Sequence, residues 1–138
     1  MTTGSDVVRA GFFRAGIRGA ETPLTAEEHV NGYEILIDML NEWQASGVNL
    51  AFVVPASSAS ELIVPNAALA AIKCNLAVKI NNAYQRPPNI GLINDATESF
   101  QAMLVALKPV ITTAYPAGLS RGVANNLWGS SDPFYNGV

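Results

Sequence analysis

The chain has 138 residues, of which 49% are hydrophobic and only 14% are charged, and its formal net charge at pH 7 is −3. This length and apolar fraction fit one globular domain with a hydrophobic core. The low charge favours a subunit buried among neighbours over a freely diffusing enzyme, and the acidic balance argues against tight nucleic-acid binding.

The single cysteine and the first residues restrict the class of protein further. Cys74 has no second cysteine for an intrachain disulfide or a multi-cysteine metal site, and its apolar neighbours predict a buried small hydrophobe. The N-terminus lacks the basic start and apolar stretch of a signal peptide, and no apolar run reaches the roughly 20 residues of a membrane span. We therefore expect a chain that is made in the cytoplasm, stays soluble and does not enter membranes.

The first predicted helix covers residues 7–15. Ser5 and Asp6 precede it and are residue types that cap a helix N-terminus, while Gly16 follows it as a stop signal. Between them, apolar residues recur at helical spacing, which predicts one buried face.

The second predicted helix begins after Thr25 and runs to about Ser46, where Gly47 ends it. Thr25 and Glu28 have the spacing of a capping box, in which each side chain bonds the backbone N–H of the other residue. One face of this helix is apolar at a period of 3.6 residues and should pack on the core: Val30, Tyr33, Leu36, Ile37, Leu40 and Trp43.

The middle of the chain predicts a short β segment and a third helix. Residues 48–54 are β-branched and aromatic enough for a short strand, and residues 55–60 form a loop. Pro65 suits a first helical turn, and the helix should run from there to about Tyr84. Its apolar residues occupy most faces, which predicts a buried central helix: Ala67, Leu69, Ala70, Ile72, Leu76, Ala77 and Ile80.

A fourth helix follows the break at residues 86–90. Asn94 or Asp95 is the expected cap, and Pro109 should end the helix near Lys108. The apolar stripe of this helix consists of Phe100, Met103, Leu104 and Leu107. Residues 1–113 are therefore predicted to be a small all-α bundle of about four helices.

Residues 114–138 predict an extended C-terminal arm. They are rich in Gly, Pro, Asn and Ser without a sustained period, and their only charged residues are Arg121 and Asp132. The segment also carries spaced aromatic residues: Tyr115, Trp128, Phe134 and Tyr135. Large rings on such a backbone are typical of an arm that orders on a partner, and the alternative is that the segment folds back on the bundle.

Several short motifs occur in a characteristic order. They are Asp6-Val-Val-Arg-Ala10 with Gly16-Ile17, Leu40-Asn-Glu-Trp43 with Gly47, Asn75-Leu76-Ala77 within residues 67–77, and Tyr115-Pro-Ala-Gly-Leu-Ser-Arg-Gly122 followed by Asn125-Asn126, Trp128 and Phe134. In this order the chain resembles the head-completion, or packaged-DNA-stabilising, tail accessory proteins of short-tailed phages, relatives of the connector adaptors of long-tailed phages. It departs from them by a compressed loop between Val54 and Pro65 and by ending soon after Phe134.

The resemblance implies a structural virion protein of the neck, made in the host cytoplasm, with no enzymatic activity and no cofactor. Such adaptors dock under the portal protein as a ring, here expected to be a dodecamer. They retain packaged DNA until ejection, lie close to it without specific binding, and present a surface to tail components of the fibre, nozzle or tailspike type. The expected portal-binding residues lie in the arm: Tyr115, Leu119, Arg121, Leu127, Trp128, Phe134 and Tyr135.

One basic cluster occurs at or just after the first helix. Arg9, Arg14 and Arg18 are possible contacts with DNA or with an acidic portal surface. The equally open alternatives are a solvated face or pairing with acids inside the bundle.

The acidic residues of the second helix suggest a different class of function, a virion enzyme that cleaves peptidoglycan with paired carboxylates. The carboxylates concerned are Glu27, Glu28, Glu34 and Asp38. Capping, the helix dipole and an exposed i, i+4 face account for the same residues. His29 is the only histidine, so a multi-histidine metal site is excluded, and a small DNA-binding regulator is a third, weaker alternative.

Overall fold

The structure, a computed structural model, describes residues 1–109. These residues form four α-helices: α1 (Gly4–Arg14), α2 (Ala26–Ala45), α3 (Asn66–Ala83) and α4 (Ile90–Leu107). The described part contains no β-strand, which confirms the predicted all-α class. The predicted domain boundary between residues 113 and 114 and the whole arm lie outside the described residues.

Helix α3 is the centre of the bundle, as its apolar composition predicts. It packs against α1, α2 and α4, and α1 also packs against α2. Ile72, Leu76 and Ile80 are completely buried, and Cys74 is buried as expected for a small hydrophobe. Helix α1 approaches α3 closely at Gly11, where an added Cβ would come 2.9 Å from the Leu76 Cδ2 atom. A glycine at this crossing therefore sets the distance between the two helices.

The capping of α1 differs from the prediction. The N-cap is Thr3 rather than Ser5 or Asp6. The Thr3 hydroxyl accepts from the Asp6 N–H at 3.2 Å and the Asp6 carboxylate accepts from the Thr3 N–H at 3.0 Å, so Asp6 is the third residue of a capping box. Ser5 lies in the first turn of the helix, and its hydroxyl donates to the Ser58 carbonyl oxygen at 3.0 Å.

Helix α2 has the predicted capping box of Thr25 and Glu28 and the predicted end, with Gly47 at a φ of +90° just after it. Its apolar stripe is partly as expected. Leu36, Leu40 and Trp43 are buried, whereas Tyr33 and Ile37 are half-buried and pack against the core. Two residues differ: Val30 is 55% exposed and Met39 is completely buried. Val30 lies on the side of α2 opposite its buried residues, so its side chain is exposed to solvent.

The β segment predicted at residues 48–54 is wrong. Val48, Leu50 and Phe52 are buried in alternation with exposed neighbours, as in a half-buried strand. Among residues 1–109, however, no strand pairs with this segment, and Ala51 has a φ of +48° that interrupts any extended conformation. The three buried side chains anchor this irregular segment on the core that the helices form.

Helix α4 begins earlier than predicted and ends as predicted. Asn89, not Asn94 or Asp95, is the N-cap, and its side chain accepts from the Gly91 N–H at 3.0 Å. The apolar stripe does not mark this start, because Ile90 does not continue it. The Ile90 side chain is 75% exposed. The stripe itself is confirmed by Met103, Phe100, Leu104 and Leu107, all of which belong to or pack on the core.

Candidate functional site

The three arginines of the basic cluster have different environments. Arg9 is exposed and donates from Nη2 to the Ala20 carbonyl at 3.0 Å. Arg14 is also exposed, and its guanidinium contacts the Cys74 thiol at the α1–α3 junction. Neither arginine forms an ion pair within residues 1–109. Arg9 does, however, lie close enough to Asp6 for its charge to help lower the pKa of the Asp6 carboxyl, after the larger effect of the hydrogen bonds from Thr3.

Arg18 is used inside the domain. Its Nε atom lies 3.1 Å from both carboxylate oxygens of Glu28, and its Nη2 atom lies 2.8 Å from Oε1. The hydrogen bonds from Arg18, followed by the Thr25 N–H, lower the pKa of the Glu28 carboxyl below its ordinary value of 4.5. For Arg18, the alternative of acid pairing within the bundle is therefore confirmed.

A cleft of about 210 Å³ lies between α1 and the turn that follows it. Ala10, Phe13 and Leu24 give it apolar walls, and Arg9 and Arg18 also line it. Phe13 is 53% exposed, although it lies in a helix whose other phenylalanine, Phe12, is fully buried. This combination suits a partner side chain that is apolar and has an acidic neighbour.

The carboxylates that suggested an enzyme do not share one environment. Glu27, Glu34 and Asp38 are exposed, whereas Glu28 is half-buried and paired with Arg18. A general acid requires a raised pKa, and the pKa of Glu28 is shifted in the opposite direction. The structure thus gives Glu28 a capping and pairing role.

One polar contact was not predictable from the sequence. The His29 Nε2 atom lies 2.9 Å from the Ser5 hydroxyl, and that hydroxyl lies 3.0 Å from the Ser58 carbonyl oxygen. A carbonyl can only accept, so the Ser5 proton points to Ser58 and His29 donates to Ser5. The arrangement joins α2, the start of α1 and the loop before α3. It differs from a nucleophile–base pair, in which the serine proton would point to the histidine.

The predicted portal-binding residues cannot be placed, because they lie outside the described part of the chain: Tyr115, Leu119, Arg121, Leu127, Trp128, Phe134 and Tyr135. Within residues 1–109 no cluster of three or more His, Cys, Asp or Glu side chains is arranged to hold a metal ion. None of the described helices has both the length and the apolarity needed to span a bilayer.

Comparison with known proteins found no family model that matches this chain and no curated protein with significant similarity to it. Function is therefore inferred from the residues, their placement and the order of the motifs.

Proposed function

We propose that this chain is a head-to-tail connector adaptor of a tailed phage. In this role it docks under the portal as a ring, retains the packaged DNA and provides the attachment surface for tail components. The observation that carries the proposal is the order of the motifs, which runs from Asp6 to Phe134 and so covers nearly the whole chain.

The motif residues in the described part have structural roles, which supports a resemblance at the level of the fold. Asp6 closes the capping box of α1, and Trp43 packs its ring on Phe100 at a centroid distance of 4.9 Å. Asn75 donates to the carbonyls of Ala71 in α3 and Ala96 in α4, at 2.9 and 3.1 Å.

The surface chemistry also supports an adaptor. Residues 1–109 hold 10 acidic and 7 basic residues, since Asp132 and Arg121 of the totals of 11 and 8 lie beyond them, and Glu27, Glu34 and Asp38 of α2 are exposed. Each neutralised DNA phosphate would strengthen binding and slow ejection, so a ring around DNA benefits from a weakly basic bore. Arg9 and Arg14 remain the proposed contacts with DNA or with an acidic portal surface.

In this proposal the arm supplies most of the portal binding. Its aromatic residues are Tyr115, Trp128, Phe134 and Tyr135, and Arg121 is its one basic residue. Aromatic and arginine side chains are the residue types that dominate the free energy of protein interfaces. An arm that orders only on portal would also delay ring formation until the portal is present.

Assembly with portal tests the proposal. The purified chain should sediment as a monomer at micromolar concentration and physiological salt, and it should form a ring when mixed with the portal encoded beside its gene. Heads made without it should leak DNA. A stable dodecamer without portal would contradict assembly on the partner. No binding to portal, together with heads that keep their DNA, would contradict the adaptor role.

A further inference from the structure

The exposed side of α2 carries charge of one sign. The helix contains no Lys or Arg. Glu27, Glu34 and Asp38 are exposed on the side opposite the buried residues of this helix, and none of them forms an ion pair within residues 1–109. The remaining acids of α2 are compensated, Glu28 by Arg18 and Glu42 by Lys79. We call Glu27, Val30, Glu34 and Asp38 the acidic stripe.

The exposed side of α1 carries the opposite charge. Arg9, Phe13 and Arg14 are exposed there, and neither arginine has an ion-pair partner within residues 1–109. Asp6 is exposed on the same helix and is ionised, since the hydrogen bonds from Thr3 and then the charge of Arg9 lower the pKa of its carboxyl, so this side carries two arginines against one carboxylate and a net positive charge. We call Arg9, Phe13 and Arg14 the basic face.

Each of these surfaces has one exposed apolar side chain among its charges. Val30 is 55% exposed and lies one turn from both Glu27 and Glu34. Phe13 is 53% exposed beside the cleft of about 210 Å³ that Ala10 and Leu24 line. An apolar centre with a charged rim is the usual arrangement of a protein interface. Here the rims have opposite signs, so the two surfaces are complementary to each other.

We propose that the basic face of one copy binds the acidic stripe of a second copy, with Val30 directed to the cleft beside Phe13, and that this contact takes the place of the DNA or portal contact for Arg9 and Arg14. Because the two surfaces differ, the contact is heterologous, and repetition gives a closed ring or an open chain of copies. The inference rests on the proposed function insofar as the ring under the portal is where this contact would operate.

The contact should be weak for the free chain. Exposed ion pairs contribute little and are screened by salt. Copies held side by side by the portal would have a high effective concentration, so the same contact would then close the ring. This difference reconciles a monomer in solution with a ring on portal.

Charge reversal on the full chain tests the contact without portal. At low ionic strength, where the screening length is about 30 Å, sedimentation velocity should show association that grows with protein concentration and disappears on adding salt. Arg9→Glu with Arg14→Glu should weaken this association by about tenfold, and so should Glu34→Arg with Asp38→Arg. A mixture of the two variants should associate again, because each reversed surface then meets its complement on the other copy.

A matched control removes the effect of net charge. Asp95→Arg with Glu98→Arg changes two exposed carboxylates of α4 and shifts the net charge by the same amount as the stripe variant. By itself it should associate like the parent, because it keeps both the basic face and the acidic stripe. Phe13→Ser is a second variant that leaves every charge in place and should also weaken association. Melting curves confirm that each variant is folded.

Three results would overturn the proposal: a parent chain that does not associate at any concentration, reversed variants that associate like the parent, or an α4 control that associates as weakly as the stripe variant. The outcome is separate from the adaptor role. Self-association in this pattern without portal binding would support the contact between copies and contradict the adaptor role. Portal binding without this pattern would support the adaptor role and contradict the contact between copies.

Discussion

Gly32 of α2 lies directly against the ring of Phe12 in α1. A Cβ atom built on Gly32 would come 2.7 Å from Phe12 Cε2 and 2.6 Å from Val8 Cγ1, which is closer than real Cβ atoms approach their neighbours. Phe12 and Val8 are both fully buried, so neither side chain has free space to move into. The absence of a side chain at Gly32 therefore lets α1 and α2 pack together.

The first prediction follows from this contact. Gly32→Ala should destabilise the domain by about 1–3 kcal/mol through overpacking, less the gain of about 1 kcal/mol in helix propensity. Gly91→Ala in α4 is the control, because its Cβ would meet nothing closer than 3.6 Å. The control should be neutral or stabilising by up to about 1 kcal/mol. Urea denaturation measures both, and a Gly32→Ala variant as stable as the Gly91→Ala variant would contradict the packing, because the gain in helix propensity is common to the two.

The second prediction concerns the pair of Trp43 and Phe100, whose ring planes are inclined by 55°. Trp43 is 8% exposed, so Trp43→Ala should cost about 3–5 kcal/mol. Phe100 is half-buried, and its replacement by Ala should cost less. A double-mutant cycle should return a coupling free energy of about 0.5–1.5 kcal/mol for the ring contact. Additive effects would show that the rings do not interact.

The third prediction concerns acid stability. The pKa of Glu28 is lowered in the folded state, chiefly by Arg18, so its contribution to stability is complete above the ordinary value of 4.5 and is lost as the pH falls through the folded value. Glu28→Gln should lower the melting temperature at neutral pH. The gap to the parent should narrow as the pH falls below 4.5.

Glu98→Gln is the control for this pH dependence. Glu98 is exposed on α4 and has no hydrogen-bond or ion-pair partner among residues 1–109, so its replacement should follow the parent at every pH. Parallel curves for the parent and Glu28→Gln would mean that the pairing with Arg18 adds no stability.

The fourth prediction concerns the arm. Trp128→Ala should weaken portal binding by about 2 kcal/mol or more per subunit, as expected for a buried aromatic anchor, and avidity around a ring should multiply the loss. Truncation after Thr113 should leave cooperative melting unchanged and abolish joining to portal. If truncation instead removes the melting transition while the remaining folded chains still bind portal, the segment stabilises the bundle and the docking surface lies elsewhere.

Sequence alone located most of the helices, because the signals that begin and end a helix are local. The Thr25 and Glu28 capping box, the stop at Gly47 and the end before Pro109 each depend on residues within about four positions of one another. The apolar excess of α3 likewise predicted a central helix without knowledge of its neighbours. The aromatic-rich composition of residues 114–138 and the order of the motifs, which carry the functional proposal, are also properties of the sequence.

Tertiary structure decided the features that depend on residues far apart in the chain. Ser5 lies inside α1 and its hydroxyl donates to the carbonyl of Ser58 in a distant loop, and residues 48–54 have the alternation of a strand but no partner strand among the described residues. The ion pair with Glu28 gives Arg18 a role inside the domain that the other two arginines of the basic cluster do not have. A helix cap is formed by residues that are close in the sequence, so the spacing of residues can predict it. The contacts named here form only after packing has brought distant segments together, so no local spacing predicts them.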